Sequence, residues 1–445
     1  MRRWTWLILS LLIFGTIPLQ AGRFIVRVDG GSPVIQTVCT SAGCNVLEGI
    51  DGSLGQVYVV TLPDFLDPGV ALQLLSRITG VVDVEPDLVA HTTGSGNQVP
   101  PALLDNTPVS YYGSAVPDGY VNQPATQIVR LADMRAAYPN ATGAGVVVAV
   151  IDTGVDTHHP ALQGVLLHGY DFIRNQSGAD ETSDVHLSGT PIVNGTGPQW
   201  VRGNGSGDLD QSTAAVVDQS TAAVVDGNPQ YSDFGHGTMV AGIIHLVAPK
   251  TKILPLKVFN ADGTGYTSDI LRAIYCAMGV CPDILGGVHA NVLNMSFHLA
   301  AYSREIETAL NLANLGGAIS VAAAGNDGEE TLVYPAALKV VMGVGSTTND
   351  DQLSSFSNYG PQLVWVGAPG EGVVTTYPFS TYAAAWGTSF STPFVSGVAA
   401  AMLNVNPVCN QNGSAQSIAN AQPIDPNAGH GRLDSFRAIQ AAGSQ

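Results

Sequence analysis

The sequence predicts an α/β protein built on a doubly wound, mostly parallel sheet with helices on both faces, preceded by a small α+β unit. Continuous apolar runs recur in the later part of the chain, for example at residues 146–151 and 318–323. Such runs are typical of strands buried on both faces. Segments with helical periodicity lie between and after them, as at residues 267–278 and 389–403. Strands that alternate with helices indicate parallel pairing.

The composition is that of a large, acidic, globular protein. The chain has 445 residues, of which 45% are hydrophobic and 12% charged, with a formal net charge of −18. This length allows two or three domains with buried cores, and the apolar content excludes a disordered chain. The glycines have no three-residue period and no heptads recur, which excludes collagen and coiled coil. Because an acidic surface repels phosphates, a nucleic-acid partner is not expected.

The first 21 residues have the pattern of a secretory signal peptide. Arg2 and Arg3 precede a short apolar run at residues 7–17, and small residues follow up to Ala21. The run is shorter than the roughly 20 apolar residues that a membrane span needs. We therefore expect cleavage near Ala21 and a secreted protein without a membrane partner after signal removal, with an uncleaved anchor as the alternative.

The remaining chain divides into three segments. Residues 22–91 predict a compact α+β unit, with strand patterns on either side of a helical segment at residues 70–78. Residues 92–127 lose periodicity and are rich in Gly, Ser, Asn and Pro, which predicts a linker or a loosely held N-terminal arm open to proteolysis. Residues 128–445 carry the larger α/β pattern.

An insert at about residues 171–230 interrupts the α/β pattern. Within it, residues 210–217 are repeated without change at residues 218–225. A duplication in a tolerant surface loop is the simplest interpretation. The alternative is a structural calcium site, although its spacing matches no known calcium loop. Its candidate oxygen ligands are Asp208, Asp210, Asp218 and Asp226.

The five cysteines favour disulfide bonds in an exported chain. Cys39 and Cys44 are five residues apart, as are Cys276 and Cys281, so two local disulfides would leave Cys409 unpaired. Free thiols are the alternative. A zinc site is less favoured because no His and Cys cluster supplies four ligands at a usual spacing.

Four polar residues stand at positions suited to catalysis. Asp152 ends a buried strand, at the sheet edge where doubly wound folds bind ligands. His236 lies between glycines at a helix start, and an imidazole can accept and return a proton near neutral pH. Ser389 lies where a loop becomes a helix, so free N–H groups would favour negative charge there. Asn326 ends another strand and offers amide donors for an oxyanion. Each residue alone also has an ordinary structural explanation, as a turn, core or capping residue.

Four short motifs surround these residues: VIDTGVD at 150–156, HGTMVAG at 236–242, AGN at 324–326 and GTSFSTP at 387–393. In combination and in this order they resemble the motifs of the subtilisin-like serine peptidases, for which the order Asp, His, Ser is known. The resemblance implies that Ser389 attacks the peptide carbonyl, that His236 transfers its proton and that Asp152 orients the imidazole. It also implies that Asn326 and the Ser389 backbone N–H hold the oxyanion, and that the chemistry requires neither a metal nor another cofactor.

The resemblance extends to the surfaces that bind substrate. Residues 257–265, which include Gly263 and Gly265, resemble the family's edge strand, on which a protein or peptide substrate adds as an extra strand. Ser296 and Gly325 would lie on the opposite side of the cleft. His298 stands where relatives commonly have Gly, which distinguishes this second edge.

Residues 22–91 are similar to the inhibitory propeptide of these enzymes. This similarity implies a zymogen whose own propeptide is an intramolecular inhibitor, and self-cleavage after His91 within residues 92–127. The alternatives are a peptidase-like binding protein without turnover, and a processing peptidase dedicated to one partner substrate.

Overall fold

A computed structural model describes residues 22–63, 66–92, 100–185, 199–200, 213–217, 231–299 and 301–444. The predicted signal peptide, and with it Arg2, Arg3 and Ala21, lies outside the described residues. Among the helices that are described, none combines the length and apolar character needed to span a membrane.

The N-terminal unit is a four-stranded antiparallel sheet in the order β2-β3-β1-β4, with two helices on one face. Alternate residues of β1 face opposite sides: Phe24 and Val26 pack on the helices, whereas Ile25 packs into the core of the larger domain. The strands β1 to β4 are Arg23–Val28, Asn45–Gly49, Val57–Thr61 and Val81–Pro86, and the helices α1 and α2 are Ser32–Ala42 and Pro68–Ser76. A further strand, β5 (Val89–Thr92), leaves this sheet and pairs elsewhere.

Residues 100–138 form an ordered arm on the larger domain. Tyr111 and Tyr120 are buried, and their hydroxyls donate to the carbonyls of Leu246 and Gly242 at 2.7 Å each. Residues 100–127 are therefore not the loosely held segment that we expected, because two buried tyrosines anchor them to the larger domain. The arm contains β6 and β7, Pro108–Tyr111 and Ser114–Pro117, and α3 to α5, Asp118–Val121, Pro124–Ile128 and Leu131–Ala137.

The larger domain is built on an eight-stranded sheet in the order β10-β9-β13-β8-β15-β17-β18-β19. All neighbouring pairs are parallel except β10 with β9. The predicted mostly parallel sheet is thus confirmed. Its strands are β8 (Val147–Asp152), β9 (Tyr170–Asp171), β10 (Gln176–Ser177), β13 (Lys252–Lys257), β15 (Val292–Met295), β17 (Ile319–Ala323), β18 (Met342–Thr347) and β19 (Val366–Pro369).

Helices cover both faces of this sheet, as predicted. Val148 and Val150 of β8 belong to the core beneath α6 and α10, whereas Ala149 and Ile151 belong to the core beneath α7 and α9. Gly237, near the start of α6, has no room for a side chain, because a Cβ would lie 1.9 Å from the Gly154 carbonyl oxygen. The helices α6 to α12 are His236–Val247, Thr267–Ala277, Pro282–Leu285, Arg304–Leu315, Thr388–Val405, Gln411–Ile418 and Ser435–Ala442.

Part of the insert belongs to a second antiparallel sheet. The first copy of the repeat supplies β12 (Thr213–Val217), which pairs with β21 (Thr381–Trp386). This segment is therefore a strand of a sheet, whereas the sequence had suggested a surface loop. The other strands of that sheet are β11 (Gln199–Trp200) and β20 (Val373–Tyr377). The second copy and the four proposed calcium ligands, Asp208, Asp210, Asp218 and Asp226, lie outside the described residues.

Both expected local disulfides form, Cys39 with Cys44 and Cys276 with Cys281. Cys409 remains a buried thiol.

His245 on α6 makes the contact between arm and core sensitive to acid. It is 3% exposed, its ring lies 5.6 Å from that of Tyr111, and neither ring nitrogen has a hydrogen-bond partner in the part of the chain that the structure describes. Burial, together with the charges of Arg135 and His159, lowers the pKa of His245 to about 4. The unfolded chain binds this proton at a pKa of about 6.5, so folding stability is lost as the pH falls between those values.

We expect H245L to reduce this loss, because leucine has no proton to bind. The measurement is the free energy of unfolding in urea at pH 7 and pH 4.5, in an S389A background that removes the expected self-digestion. H289L, at an exposed histidine, is the matched control. Equal pH dependence in H245L and H289L would show that His245 is not the acid-sensitive group.

Candidate active site

Asp152 and His236 form a buried hydrogen-bonded pair. Asp152 is the last residue of β8 and His236 is the first residue of α6, and both are fully buried. His236 Nδ1 lies 2.7 Å from Asp152 Oδ1, which also accepts a hydrogen bond from the Thr153 backbone N–H at 2.7 Å. The sheet edge and the helix start therefore hold the carboxylate and the imidazole in contact.

The environment of His236 suits a general base. Burial disfavours the charged imidazole, but the carboxylate of Asp152 attracts and hydrogen-bonds it, and the net result is a pKa of His236 above the ordinary value. Nε2 of the ring has no hydrogen-bond partner among the described residues. Since Nδ1 is bonded to Asp152, Nε2 is the nitrogen that can accept a proton.

Ser389 is the second residue of α10 and is fully buried. Its Oγ donates to the Ser296 carbonyl at 2.9 Å, and Ser296 Oγ donates to the Ser389 carbonyl at 2.8 Å. The ring of the next residue, Phe390, lies 5.3 Å from the His236 ring, so the helix start is beside the imidazole. The Ser389 hydroxyl thus donates to Ser296 from a helix start that lies beside the imidazole.

Asn326 offers an amide donor at the same edge. Its Oδ1 accepts hydrogen bonds from the Thr388 backbone N–H at 2.8 Å and from Thr388 Oγ1 at 2.9 Å. These bonds fix the orientation of the amide, since only an oxygen can accept them. Nδ2 is buried and has no hydrogen-bond partner within the described part of the chain. A donor held in this way can stabilise an oxyanion without reorganisation.

The topology explains why these residues meet. Asp152 ends β8, and Ser296 and Asn326 follow the carboxyl ends of β15 and β17; these three strands are adjacent in the sheet. His236 and Ser389 begin α6 and α10, whose N-termini favour negative charge. Gly325, which has a φ of +90°, turns the chain after β17 so that Asn326 faces Thr388. The sequence-predicted catalytic residues therefore converge on one site.

An extended segment of the same chain occupies the expected substrate cleft. β5 (Val89–Thr92) lies antiparallel between β14 (Thr264–Tyr266) and β16 (Phe297–His298) in a three-stranded sheet. Gly265 lies opposite Ala90, and the turn that leads into β14 contains Gly263, with a φ of +76°. The backbone of His298 pairs with that of His91.

Sequence reasoning missed two side chains that support this site. Thr388 lies within a motif and had no assigned role, although it orients Asn326. Glu181 lies outside all four motifs and contacts both Thr153 and Thr238. No local signal identifies Glu181, because its partners are 28 to 57 residues away. Among the residues that the structure describes, no three His, Cys, Asp or Glu side chains group so as to hold a metal ion.

Comparisons with known proteins agree with this geometry. The sequence model of the Subtilase family matches residues 143–434. Thermitase from Thermoactinomyces vulgaris is 32% identical over 312 residues, which cover 68% of this chain and 92% of thermitase. A thermophilic serine proteinase from Bacillus sp. (strain AK1) is 31% identical over 303 residues, which cover 66% of this chain and 62% of that proteinase.

The fold is similar to that of fervidolysin from Fervidobacterium pennivorans, a keratinolytic enzyme related to subtilisin. The TM-score is 0.69 at 20% identity, and the match covers 94% of this chain and 61% of fervidolysin. The chain thus spans about three fifths of the length of fervidolysin and of the Bacillus proteinase.

We expect N326A to lower kcat for peptide hydrolysis by about 10²–10³-fold, the magnitude known for subtilisin when the corresponding donor is lost. KM should change much less, because the donor acts on the transition state rather than on the bound substrate. N326D is the sharper variant: it keeps the oxygen that Thr388 binds and replaces the donor with an acceptor. A kcat of N326D close to that of the wild type would contradict this role of Nδ2.

Proposed function

Because the chain belongs to the Subtilase family, we propose that it is a secreted serine endopeptidase that is made as a zymogen and cuts itself. The observation that carries the proposal is the buried 2.7 Å contact between Asp152 and His236, beside Ser389 and at the end of a cleft filled by β5. The signal-peptide pattern and the two disulfides support export.

In the proposed reaction, all catalytic groups are side chains or backbone groups of the protein. Ser389 Oγ attacks the carbonyl carbon of the substrate while its proton passes to His236 Nε2, and Asp152 stabilises the imidazolium that forms. The oxyanion receives hydrogen bonds from Asn326 Nδ2 and the Ser389 backbone N–H. His236 then gives the proton to the leaving amine, and water repeats the sequence on the acyl-enzyme to release the acid.

The class of substrate follows from the pairing of β5. An extended backbone adds between β14 and β16 as the middle strand of a sheet, and main-chain pairing of this kind accepts many sequences. We therefore propose protein and peptide substrates bound in an extended conformation.

The contacts of the N-terminal unit support its assignment as an inhibitory propeptide. Asp87 accepts hydrogen bonds from the Ser268 backbone N–H at 2.8 Å and from its hydroxyl at 2.7 Å, in the first turn of α7. Glu85 likewise accepts from the Ser303 hydroxyl at 2.6 Å and the Arg304 backbone N–H at 3.0 Å, at the start of α9. The two side chains thus accept hydrogen bonds at two helix N-termini, where backbone N–H groups lack partners within the helix. This placement directs β5 into the cleft.

The proposed self-cleavage falls between Thr92 and Pro100. Thr92 lies in the cleft opposite Phe297, whereas the chain from Pro100 onward packs on the larger domain, with Leu103 buried in its core. Cleavage beyond Pro100 would require the anchored arm to unfold. The cleavage site, which was expected within residues 92–127, is therefore narrowed to the segment between Thr92 and Pro100 that joins the cleft to the arm.

We expect the purified wild-type protein to begin between residues 93 and 100, and S389A to retain residues 22–91. The measurement is the intact mass and the N-terminal sequence of both proteins. Labelling by a serine-directed fluorophosphonate tests independently whether Ser389 is a nucleophile. If both proteins retain residues 22–91 and neither is labelled, the chain is a binding protein rather than a peptidase. If the wild type is labelled but uncut, the peptidase stands and self-processing does not.

We expect the cut propeptide to bind more weakly as the pH rises from about 5 to 8. Burial and the nearby carboxylate of Glu305 raise the pKa of Glu85 to about 7, against the hydrogen bond from Ser303. The bound state therefore holds a proton that the free propeptide loses at lower pH, so the complex is favoured in acid. Size-exclusion chromatography of the self-cut protein in the cold measures co-elution at each pH. E85Q should reduce this dependence, leaving the part due to Asp269, whose pKa burial and the charges of Asp87 and Glu48 raise to about 7. D29N, at an exposed site, should not reduce it; equal curves would contradict the role of Glu85.

A further inference from the structure

Glu181 is a buried carboxylate that the reaction itself does not use. It begins a short 3₁₀ turn, Glu181–Asp184, and is fully buried. A carboxylate without water around it must be hydrogen-bonded to be stable there. Its hydrogen-bond partners therefore indicate which parts of the structure it holds together.

Both carboxylate oxygens of Glu181 are occupied. Oε2 accepts hydrogen bonds from Thr153 Oγ1 and from the Gly235 backbone N–H, each at 2.9 Å. Oε1 accepts from the Thr238 backbone N–H at 3.0 Å and from the Thr238 hydroxyl. One side chain thus receives four hydrogen bonds from three residues.

These three residues are the neighbours of the proposed catalytic pair. Thr153 follows Asp152, Gly235 precedes His236, and Thr238 lies in the first turn of α6. Thr153 Oγ1 also accepts from the Gly237 backbone N–H at 2.9 Å, which ties the end of β8 directly to the same turn. The N–H groups of a first helical turn have no partners within the helix, and here Glu181 and Thr153 supply them.

We propose that Glu181 is a positioning residue, which fixes the distance between Asp152 and His236 by bonding to the residue after Asp152 and to residues on either side of His236. The inference rests on the proposed peptidase function. Glu181 acts through the strand end and the helix start, and it is not itself a catalytic residue.

The other end of the 3₁₀ turn strengthens the same frame. Asp184 accepts a hydrogen bond from Lys257 Nζ at 2.7 Å, and Nζ also donates to the carbonyls of Thr153 and Phe259 at 2.6 Å each. Lys257 is fully buried and lies opposite Asp152 in the pairing of β13 with β8. The turn Glu181–Asp184 therefore binds β8, α6 and β13 together.

The charge of Glu181 also reaches the base. Burial and the charge of Asp152 raise the pKa of Glu181 to about 8, against the hydrogen bonds from Thr238 and Thr153 and the charge of Lys257. When ionised, Glu181 favours the imidazolium form of His236. With a pKa of about 8, the group is largely neutral at pH 7 and acquires this charge only in more alkaline solution.

The test is E181Q, whose amide cannot accept hydrogen bonds at both positions. We expect kcat per active site to fall by about tenfold or more with KM nearly unchanged, because a displacement near 1 Å in a catalytic group costs up to about 10²-fold. Active sites are counted by fluorophosphonate labelling, so loss of folded protein does not enter kcat. N404A is the matched control: it removes an acceptor of the backbone N–H groups of Thr142 and Ala144, at 3.1 and 3.3 Å.

A smaller loss of kcat in E181Q, or an equal loss in N404A, would overturn the inference. If E181Q gives no folded protein, the variants T153V and T153S test the inference instead. T153V removes the hydroxyl that links Glu181 to the Gly237 backbone N–H, and T153S keeps it. A loss in T153V that T153S recovers supports positioning, and equal kcat values overturn it. A wild type that is neither active nor labelled would instead refute the proposed function.

Discussion

The structure places a carboxylate and an imidazole side by side where water does not reach. Removing such groups from water costs several kcal/mol per charge unless hydrogen bonds and opposite charge compensate. Asp152 Oδ1 receives its compensation from His236 and from the Thr153 N–H, both at 2.7 Å. Glu181 is a second buried carboxyl group near this pair; burial and the charge of Asp152 raise its pKa, whereas the charge of Lys257 on the adjacent strand lowers it. The surrounding chain must keep this buried pair stable although Asp152 Oδ2 has no hydrogen-bond partner among the described residues.

The parallel sheet brings the residues of the site together with short segments of chain. The carboxyl ends of β8, β15 and β17 lie at one edge, so the carboxylate, the Ser296 carbonyl and the Asn326 amide need no long loops to converge. The two helices that begin at this edge are buried along almost their whole length, which fixes His236 and Ser389 as firmly as the strands fix their partners. The same packing demands small residues, since Gly237 has no room for a Cβ beside Gly154.

The sequence predicted the sheet and the residues at its edge because both depend on local patterns. Apolar runs such as residues 146–151 identify buried strands, and Asp152 or Asn326 directly after such a run is visible without any tertiary information. Glu181 and the tyrosines of the arm gave no such signal. The Tyr111 hydroxyl bonds a carbonyl 135 residues away, and Glu181 bonds Gly235 across 54 residues. Their roles arise only when distant segments pack together, so composition at residues 92–127 resembled a linker.

The proposed substrate would pair with the same two strands that β5 pairs with, so β5 and a substrate could not occupy the cleft together. With β5 between β14 and β16, Ser389 Oγ donates to the carbonyl of Ser296, the residue directly before β16. His236 Nε2 meanwhile has no hydrogen-bond partner within the described residues. A rotation about the Cα–Cβ bond of Ser389, between ordinary staggered rotamers, is the motion that redirects its hydroxyl. Hydrogen bonds of this kind often tighten only when substrate is engaged. Asp152 thus orients the His236 imidazole in the same structure in which the Ser389 hydroxyl donates to Ser296.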